Sequence, residues 1–294
     1  MGSCEQLWEI HRERSRLIAV TQPGADAFLY AVPSSDLFKF SSSLFAVTMQ
    51  RRLGLFLPGF ASIPGLRPVD YLGDTFLADG KQEHSTRHHL VNDVWYRAAT
   101  AAYGAASTRK PRGEPSYSVG AIPDWVAEFI DASGSHIIGE TKVYNPLVTD
   151  ATELRRGAVY PFGATEYDLR LQILGAYAGS TAAPLLPRTD GKPHPPAKYQ
   201  AALDLGHRVV PLIHEVFGGM APEAEAYLRE LGRLRAHELG ADSVHATWAA
   251  QAFVPFWRQR LSMAVHIGTA RELARVLEEG EDKIRAIVAR KPPR

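Results

Sequence analysis

The chain contains a single cysteine, Cys4, among its 294 residues. One thiol excludes an intramolecular disulfide and any cysteine-based zinc cluster, and it predicts an intracellular protein. If the source is a eukaryote, we expect a nuclear protein. Long apolar runs are also missing, because no stretch approaches the ~20 residues of a membrane helix. Residues 1–16 carry charges throughout and therefore lack the apolar centre of a signal peptide. We expect neither a signal peptide nor a membrane partner.

An excess of either charge is missing as well. Lys and Arg number 33 against 32 Asp and Glu, which gives a formal net charge of +1. Such a chain has no overall field that attracts nucleic acid, so binding to nucleic acid would depend on a local basic patch. The sequence also lacks a P-loop, a dinucleotide-binding glycine motif and a G-x-S-x-G elbow. The apolar fraction of 45% is that of an ordinary globular protein with one large domain or two small ones.

The most informative stretch present is residues 121–147, which predicts two strands joined by a tight turn. Residues 125–130 and 136–144 are rich in β-branched, aromatic and aliphatic side chains, and residues 132–135 (A-S-G-S) have turn chemistry. Side chains alternate between the faces of a strand, so Glu140 and Lys142 project from the same face, roughly 6–7 Å apart along it. A Pro-Asp pair at 123–124 opens the first strand.

Two carboxylates and an ammonium in one small volume suit the cleavage of a phosphodiester. Magnesium takes oxygen ligands, usually one or two carboxylates with waters and substrate phosphate. Asp124 and Glu140 could provide the carboxylates and Thr141 a backbone carbonyl, while Lys142 would orient or deprotonate a water or neutralise developing charge. Both patterns are short, however, and alternating charges also occur on the solvated face of an ordinary strand.

The sequence does not determine the register of the two predicted strands, and so it does not determine whether Asp124 lies opposite Glu140. If the turn is centred between Ser133 and Gly134, Asp124 lies opposite Val143 rather than Glu140. A slip set by the turn length or by a bulge is needed to bring the two acids together.

A helix over residues 85–103 is predicted by apolar residues at helical spacing. Its first turn carries Arg87, His88 and His89. Adjacent helical residues point about 100° apart, so the two imidazoles cannot easily share one metal ion. We therefore do not predict a metal site from the histidine pair.

A basic cluster follows that helix. Residues 106–112 (A-S-T-R-K-P-R) predict a first strand, broken by Pro111. Arg109, Lys110 and Arg112 form the best local candidate for a nucleic-acid-binding patch that contacts phosphate. A solvated basic loop is the alternative.

The remaining chain is predicted to be mostly helical, with one further strand. A loop is expected over residues 58–80, where Gly and Pro recur every few residues, and a buried strand over residues 207–217. The predicted helices cover residues 3–19, 42–54, 197–205, 222–238, 242–266 and 269–289.

The predicted order of helix, three strands, helix and strand is the α-β-β-β-α-β core of the PD-(D/E)XK nuclease superfamily, which includes type II restriction enzymes. The chain resembles, more narrowly, the C-terminal restriction-like endonuclease region of non-LTR retrotransposon polyproteins. The segments that carry this resemblance are T-R-H-H-L-V-N-D-V-W-Y-R-A-A, I-P-D, G-E-T-K-V-Y-N-P-L and R-V-V-P-L-I-H-E-V-F-G-G, with R-R-L-G-L-F-L-P and Y-L-G-D upstream. The similarity extends from about Leu17 to about Leu277.

The resemblance implies an α+β, restriction-endonuclease-like fold and assigns three roles. The catalytic aspartate of the family falls on Asp124, its second acid on Glu140 and its lysine on Lys142. In such enzymes these residues bind a divalent cation, Mg²⁺ or Mn²⁺, and cleave DNA. We therefore expect a metal-dependent DNA endonuclease with metal ligands Asp124, Glu140 and Thr141.

The chain departs from this family in the region before the predicted nuclease. Relatives usually carry a Cys/His zinc knuckle there, whereas Gly73-Asp74 is followed here by Thr75, and residues 56–80 contain neither Cys nor His. This region cannot bind zinc. Because the sequence has no reverse transcriptase segment, the resemblance leads us to expect a fragment, a solitary descendant or a decayed copy. The alternative function is a catalytically inactive nucleic-acid-binding or interaction module.

Three regions follow from these predictions. Residues 1–80 form a helical and loop-rich N-terminal region with a degenerate knuckle, and residues 81–219 the restriction-like nuclease core. Residues 220–294 form a C-terminal helical region packed on the core.

Overall fold

The computed structural model describes residues 4–32, 36, 39–66, 68–77, 85–111, 122–128, 134–147, 164–175, 196–235 and 251–289. These residues form a mixed α+β structure, mostly helical with a small four-stranded sheet, which confirms the predicted α+β class. The elements are α1 (Cys4–Val20), a 3-10 helix (Ala27–Tyr30), α2 (Ser42–Leu53), α3 (Pro58–Ala61), α4 (Pro68–Tyr71), α5 (Asp74–Leu77), α6 (Ser85–Tyr103), β1 (Thr108–Arg109), β2 (Trp125–Ala127), β3 (Ile137–Tyr144), α7 (Ala164–Leu174), α8 (Gln200–Asp204), β4 (Arg208–Glu215), α9 (Pro222–Leu234), α10 (Phe253–Glu278) and α11 (Glu281–Ala289). None of the described helices is long and apolar enough to cross a membrane.

The sheet has the strand order β1-β2-β3-β4. The first two pairings are antiparallel, whereas β3 and β4 run parallel and pair along eight residues, from Ile137–Arg208 to Tyr144–Glu215. One face packs against α6, α9 and α10, and the other against α7 and α8. Burial on both faces explains why β4 is a nearly continuous apolar run.

The long helix α10 contacts α2, α5, α6, α9 and the 3-10 helix, so it joins elements from all three predicted regions. The predicted helix break between residues 266 and 269 is wrong, because α10 continues through Gly268 to Glu278. A Cβ at Gly268 would lie 2.7 Å from the Cα of Arg87 on α6. The glycine therefore permits a close helix crossing and does not end the helix. The predicted start at 242 lies outside the described residues, and α10 itself begins at Phe253.

Residues 58–77 are more ordered than the predicted loop. Three one-turn helices, α3 to α5, occupy this stretch, and Pro58 stands at the first position of α3, where its missing N–H costs nothing. Phe60 and Phe76 stack with ring centroids 4.5 Å apart. They pack against Leu273 of α10 and Ile284 of α11 in a separate apolar cluster. Frequent Gly and Pro therefore shorten the helices here without preventing them.

A buried ion triad lies among the helices of the predicted N-terminal region. The Asp74 carboxylate accepts hydrogen bonds from Arg12 (Nε, 2.9 Å; Nη2, 2.6 Å) and from Arg51 (Nη2, 3.0 Å). All three side chains are buried. The triad therefore links α1, α2 and α5.

Candidate active site

The pairing of β2 with β3 places the two predicted acids, Asp124 and Glu140, opposite each other on neighbouring strands. Trp125 pairs with Gly139, so Asp124, one residue earlier, stands opposite Glu140. The count that placed Asp124 opposite Val143 is wrong because the observed pairing is centred on residue 132 and not between Ser133 and Gly134. Ala127 and Ile137 form the last pair, which leaves residues 128–136 between the strands.

The first two strands of the sheet are shorter in the structure than the sequence predicts. The strand predicted over residues 106–112 is confined to β1, Thr108–Arg109, because residues 105–107 form a turn after α6. The strand predicted over residues 125–130 is observed as β2, Trp125–Ala127, and residues 129–130 lie outside the described part of the chain. These short strands still place Asp124 beside the middle of β3.

Asp124 is held by its Oδ2 atom. Oδ2 accepts a hydrogen bond from the Thr141 backbone N–H at 2.6 Å and lies 3.2 Å from Nε2 of His88 on α6. The side chain is 14% exposed. Two contacts therefore fix Oδ2, whereas Oδ1 has no hydrogen-bond partner among the described residues.

Glu140 is buried, with 1% of its side chain exposed, and both of its oxygens have partners. Oε1 lies 2.7 Å from the Nζ atom of Lys142 and 2.6 Å from that of Lys198. Oε2 accepts a hydrogen bond from the Tyr199 hydroxyl. A carboxylate at this depth is tolerated only with such partners, because removing its charge from water is costly. The prediction that Glu140 and Lys142 share a face agrees with this contact.

Lys198 and Tyr199 are site residues that the sequence did not reveal. They precede α8 and reach Glu140 across 58 and 59 residues of chain, a separation that no spacing rule marks. The backbone N–H of Lys198 donates to Gln172 of α7 at 3.0 Å, which fixes this segment. Burial, and then the neighbouring Glu140, raises the pKa of Tyr199 well above its usual value. Tyr199 therefore stays protonated and acts as a donor.

The predicted nucleic-acid patch is balanced by acids. Arg109 lies 2.6 Å from Glu128 through Nη2, and Lys110 forms an ion pair with Asp93 of α6. Arg112 lies outside the described residues. The two described cations of this patch are thus paired within the protein.

Within the described part of the chain, no group of three or more His, Cys, Asp or Glu side chains could hold a metal ion. The predicted ligands are the carboxylates of Asp124 and Glu140 and the backbone carbonyl of Thr141, whose side chain is buried. An all-oxygen set with one or two carboxylates fits magnesium, which completes its shell with water and substrate phosphate.

No family model, curated protein or solved structure matches the chain.

Proposed function

We propose that the chain is a metal-dependent DNA endonuclease that hydrolyses phosphodiester bonds, of the restriction-like type resembled by its sequence. The observation that carries this proposal is the pairing that sets Asp124 opposite Glu140, with Lys142 against Glu140 Oε1. The order of α6, β1, β2, β3, α7 and β4 along the chain supports this proposal, since it follows the α-β-β-β-α-β core of that class with the short helix α8 added between α7 and β4.

Asp124 and Glu140 would hold Mg²⁺ or Mn²⁺, with the Thr141 carbonyl as a third oxygen. When bound, such a cation acidifies a water and neutralises charge on the scissile phosphate. Asp124 offers Oδ1, since its Oδ2 is engaged by the Thr141 N–H. Glu140 offers Oε1, since Tyr199 holds Oε2 in place.

Lys142 and Lys198 would bind the phosphate group of the substrate. Lys142 and Lys198 are 32% and 33% exposed, so each ammonium can turn from Glu140 towards an arriving phosphate. Lys142 orients or deprotonates the attacking water, and Lys198 neutralises the phosphate oxygens. Because the net charge of the chain is only +1, attraction of DNA depends on local positive charge, which these two lysines would supply.

Supercoiled plasmid incubated with the full chain and Mg²⁺ tests this proposal. Wild type should nick or linearise the plasmid, EDTA should stop it, and Asp124→Ala and Glu140→Gln should each lower the rate at least ~100-fold, since the cation supplies several kcal/mol. Asp282→Ala, at an exposed position of α11, is the matched control and should cleave like wild type. Equal rates for wild type and Asp124→Ala contradict the proposal.

A second candidate function is a catalytically inactive nucleic-acid-binding or interaction module that retains the fold. The observation favouring it is that Lys142, Lys198 and Tyr199 already satisfy Glu140 without any added cation. On this account fluorescence anisotropy with a labelled duplex gives the same affinity with and without Mg²⁺. Glu140→Gln leaves that affinity unchanged.

A further inference from the structure

His88 contacts the proposed metal site from outside the sheet. Its Nε2 lies 3.2 Å from Asp124 Oδ2, and its side chain is 27% exposed. A carboxylate only accepts hydrogen bonds, so the contact requires the proton on Nε2. The neighbouring His89 is exposed, and its ring meets the His88 ring edge to face, with centroids 5.5 Å apart.

The first turn of α6 is fixed by α10, which gives His88 a defined position. The Arg87 backbone N–H donates to Glu272 Oε1 at 3.1 Å, and the Arg87 guanidinium lies 3.6 Å from Glu272 Oε2. The Cα of Arg87 also abuts Gly268, where no side chain would fit. His88 is thus presented by a rigid element and not by a loop.

We propose that His88 is a positioning residue that fixes the Asp124 carboxylate for the cation. The inference rests on the proposed function. The Nε2–H of His88 and the N–H of Thr141 both donate to Oδ2, from the helix and from β3 respectively. With Oδ2 held from two sides, the carboxylate cannot rotate freely and Oδ1 is kept for the metal. Partners of this kind raise metal affinity by 10- to 100-fold in other sites.

Two variants of similar size separate the hydrogen bond from the packing. His88→Gln keeps an N–H donor, whereas His88→Leu has none. His89→Ala is the matched control from the exposed neighbour. Mn²⁺ binding to each full-length protein is measured by isothermal titration calorimetry, with thermal unfolding to verify that each variant is folded.

We expect His88→Leu to weaken Mn²⁺ binding about tenfold or more, with His88→Gln and His89→Ala within about threefold of wild type. Equal affinities for His88→Leu and wild type overturn the inference and leave the proposed function standing. Equal weakening in His88→Leu and His88→Gln also overturns it, because the effect then comes from packing. If wild type and Asp124→Ala bind Mn²⁺ alike, the proposed metal site itself is wrong and the inference falls with it.

Discussion

The indole of Trp125 occupies the space into which a side chain at Gly139 would project. A Cβ at position 139 would lie 2.1 Å from Cε2 and 2.3 Å from Cζ2 of that ring. Trp125 is fully buried, and its ring stacks on Tyr227 of α9 with centroids 6.1 Å apart. The indole is enclosed by its neighbours and has no space into which it could move. The pairing that sets Asp124 opposite Glu140 therefore requires glycine at 139.

Gly139→Ala should therefore destabilise the protein by about 3 kcal/mol or more, since overpacking a filled core forces side chains and backbone to move. Urea denaturation measures the change. Trp125→Leu makes room, so the double variant should lose less stability than the two single losses added together. Wild-type stability in Gly139→Ala would show that the ring is not confined as described.

Asp74→Asn should cost about 3–5 kcal/mol of unfolding free energy, because it leaves the buried guanidinium groups of Arg12 and Arg51 without a counter-charge. The control is Glu281→Gln, which breaks the exposed pair with Arg285. That pair should contribute no more than about 0.5 kcal/mol. Similar losses for the two variants in urea denaturation would contradict a stabilising role for the triad.

Tyr199→Phe should cost about 1–3 kcal/mol, because it leaves Glu140 Oε2 buried with no hydroxyl donor. Tyr30→Phe, at a tyrosine that is largely exposed, is the matched control and should change stability by less than about 0.5 kcal/mol. Both are measured by urea denaturation at pH 7. An unchanged midpoint in Tyr199→Phe would mean that water satisfies Glu140 instead.

Glu215 should make stability fall as the pH rises. The side chain is fully buried at the end of β4, Tyr144 donates to its Oε1 at 3.2 Å, and burial raises its pKa from 4.5 to about 8. Between these two values the unfolded chain ionises while the folded protein keeps the proton. Wild type should therefore lose up to about 5 kcal/mol of stability from pH 4.5 to pH 8 through this group, with no further loss above it.

Glu215→Gln isolates this effect, because the amide resembles the protonated acid and still accepts from Tyr144. The variant and wild type should be nearly equal in stability at pH 5, and the variant should be the more stable at pH 9. The buried histidines His214 and His266 are common to both proteins and cancel in the difference. A difference that stays constant from pH 5 to pH 9 in urea denaturation would contradict the prediction.

Sequence periodicity predicted the limits of α6 and β3 well. The helix predicted over residues 85–103 is α6 at the same limits, and the strand predicted over residues 136–144 begins one residue later as β3. These segments bury a regular set of apolar residues, so local pattern and tertiary packing agree. The helix at 42–54 and the strand at 207–217 are confirmed for the same reason, as α2 and β4 with slightly shorter limits.

The errors arise where a tertiary contact decides the role of a residue. The break predicted between residues 266 and 269 falls at Gly268, where the absence of a side chain allows the close approach of Arg87. The register between β2 and β3 places the Trp125 indole against Gly139, a contact that no local pattern in the sequence marks. Lys198, brought to Glu140 by a distant segment, leaves no local signal at all.

The most direct test of the central claim, that Asp124 and Glu140 share a divalent cation, is an anomalous difference map from crystals soaked in Mn²⁺. We predict one peak within about 2.5 Å of oxygens from both carboxylates, with the Lys142 and Lys198 ammonium groups moved away from Glu140 Oε1. A map without that peak, in which both lysines still contact Glu140 at millimolar Mn²⁺, would contradict the account.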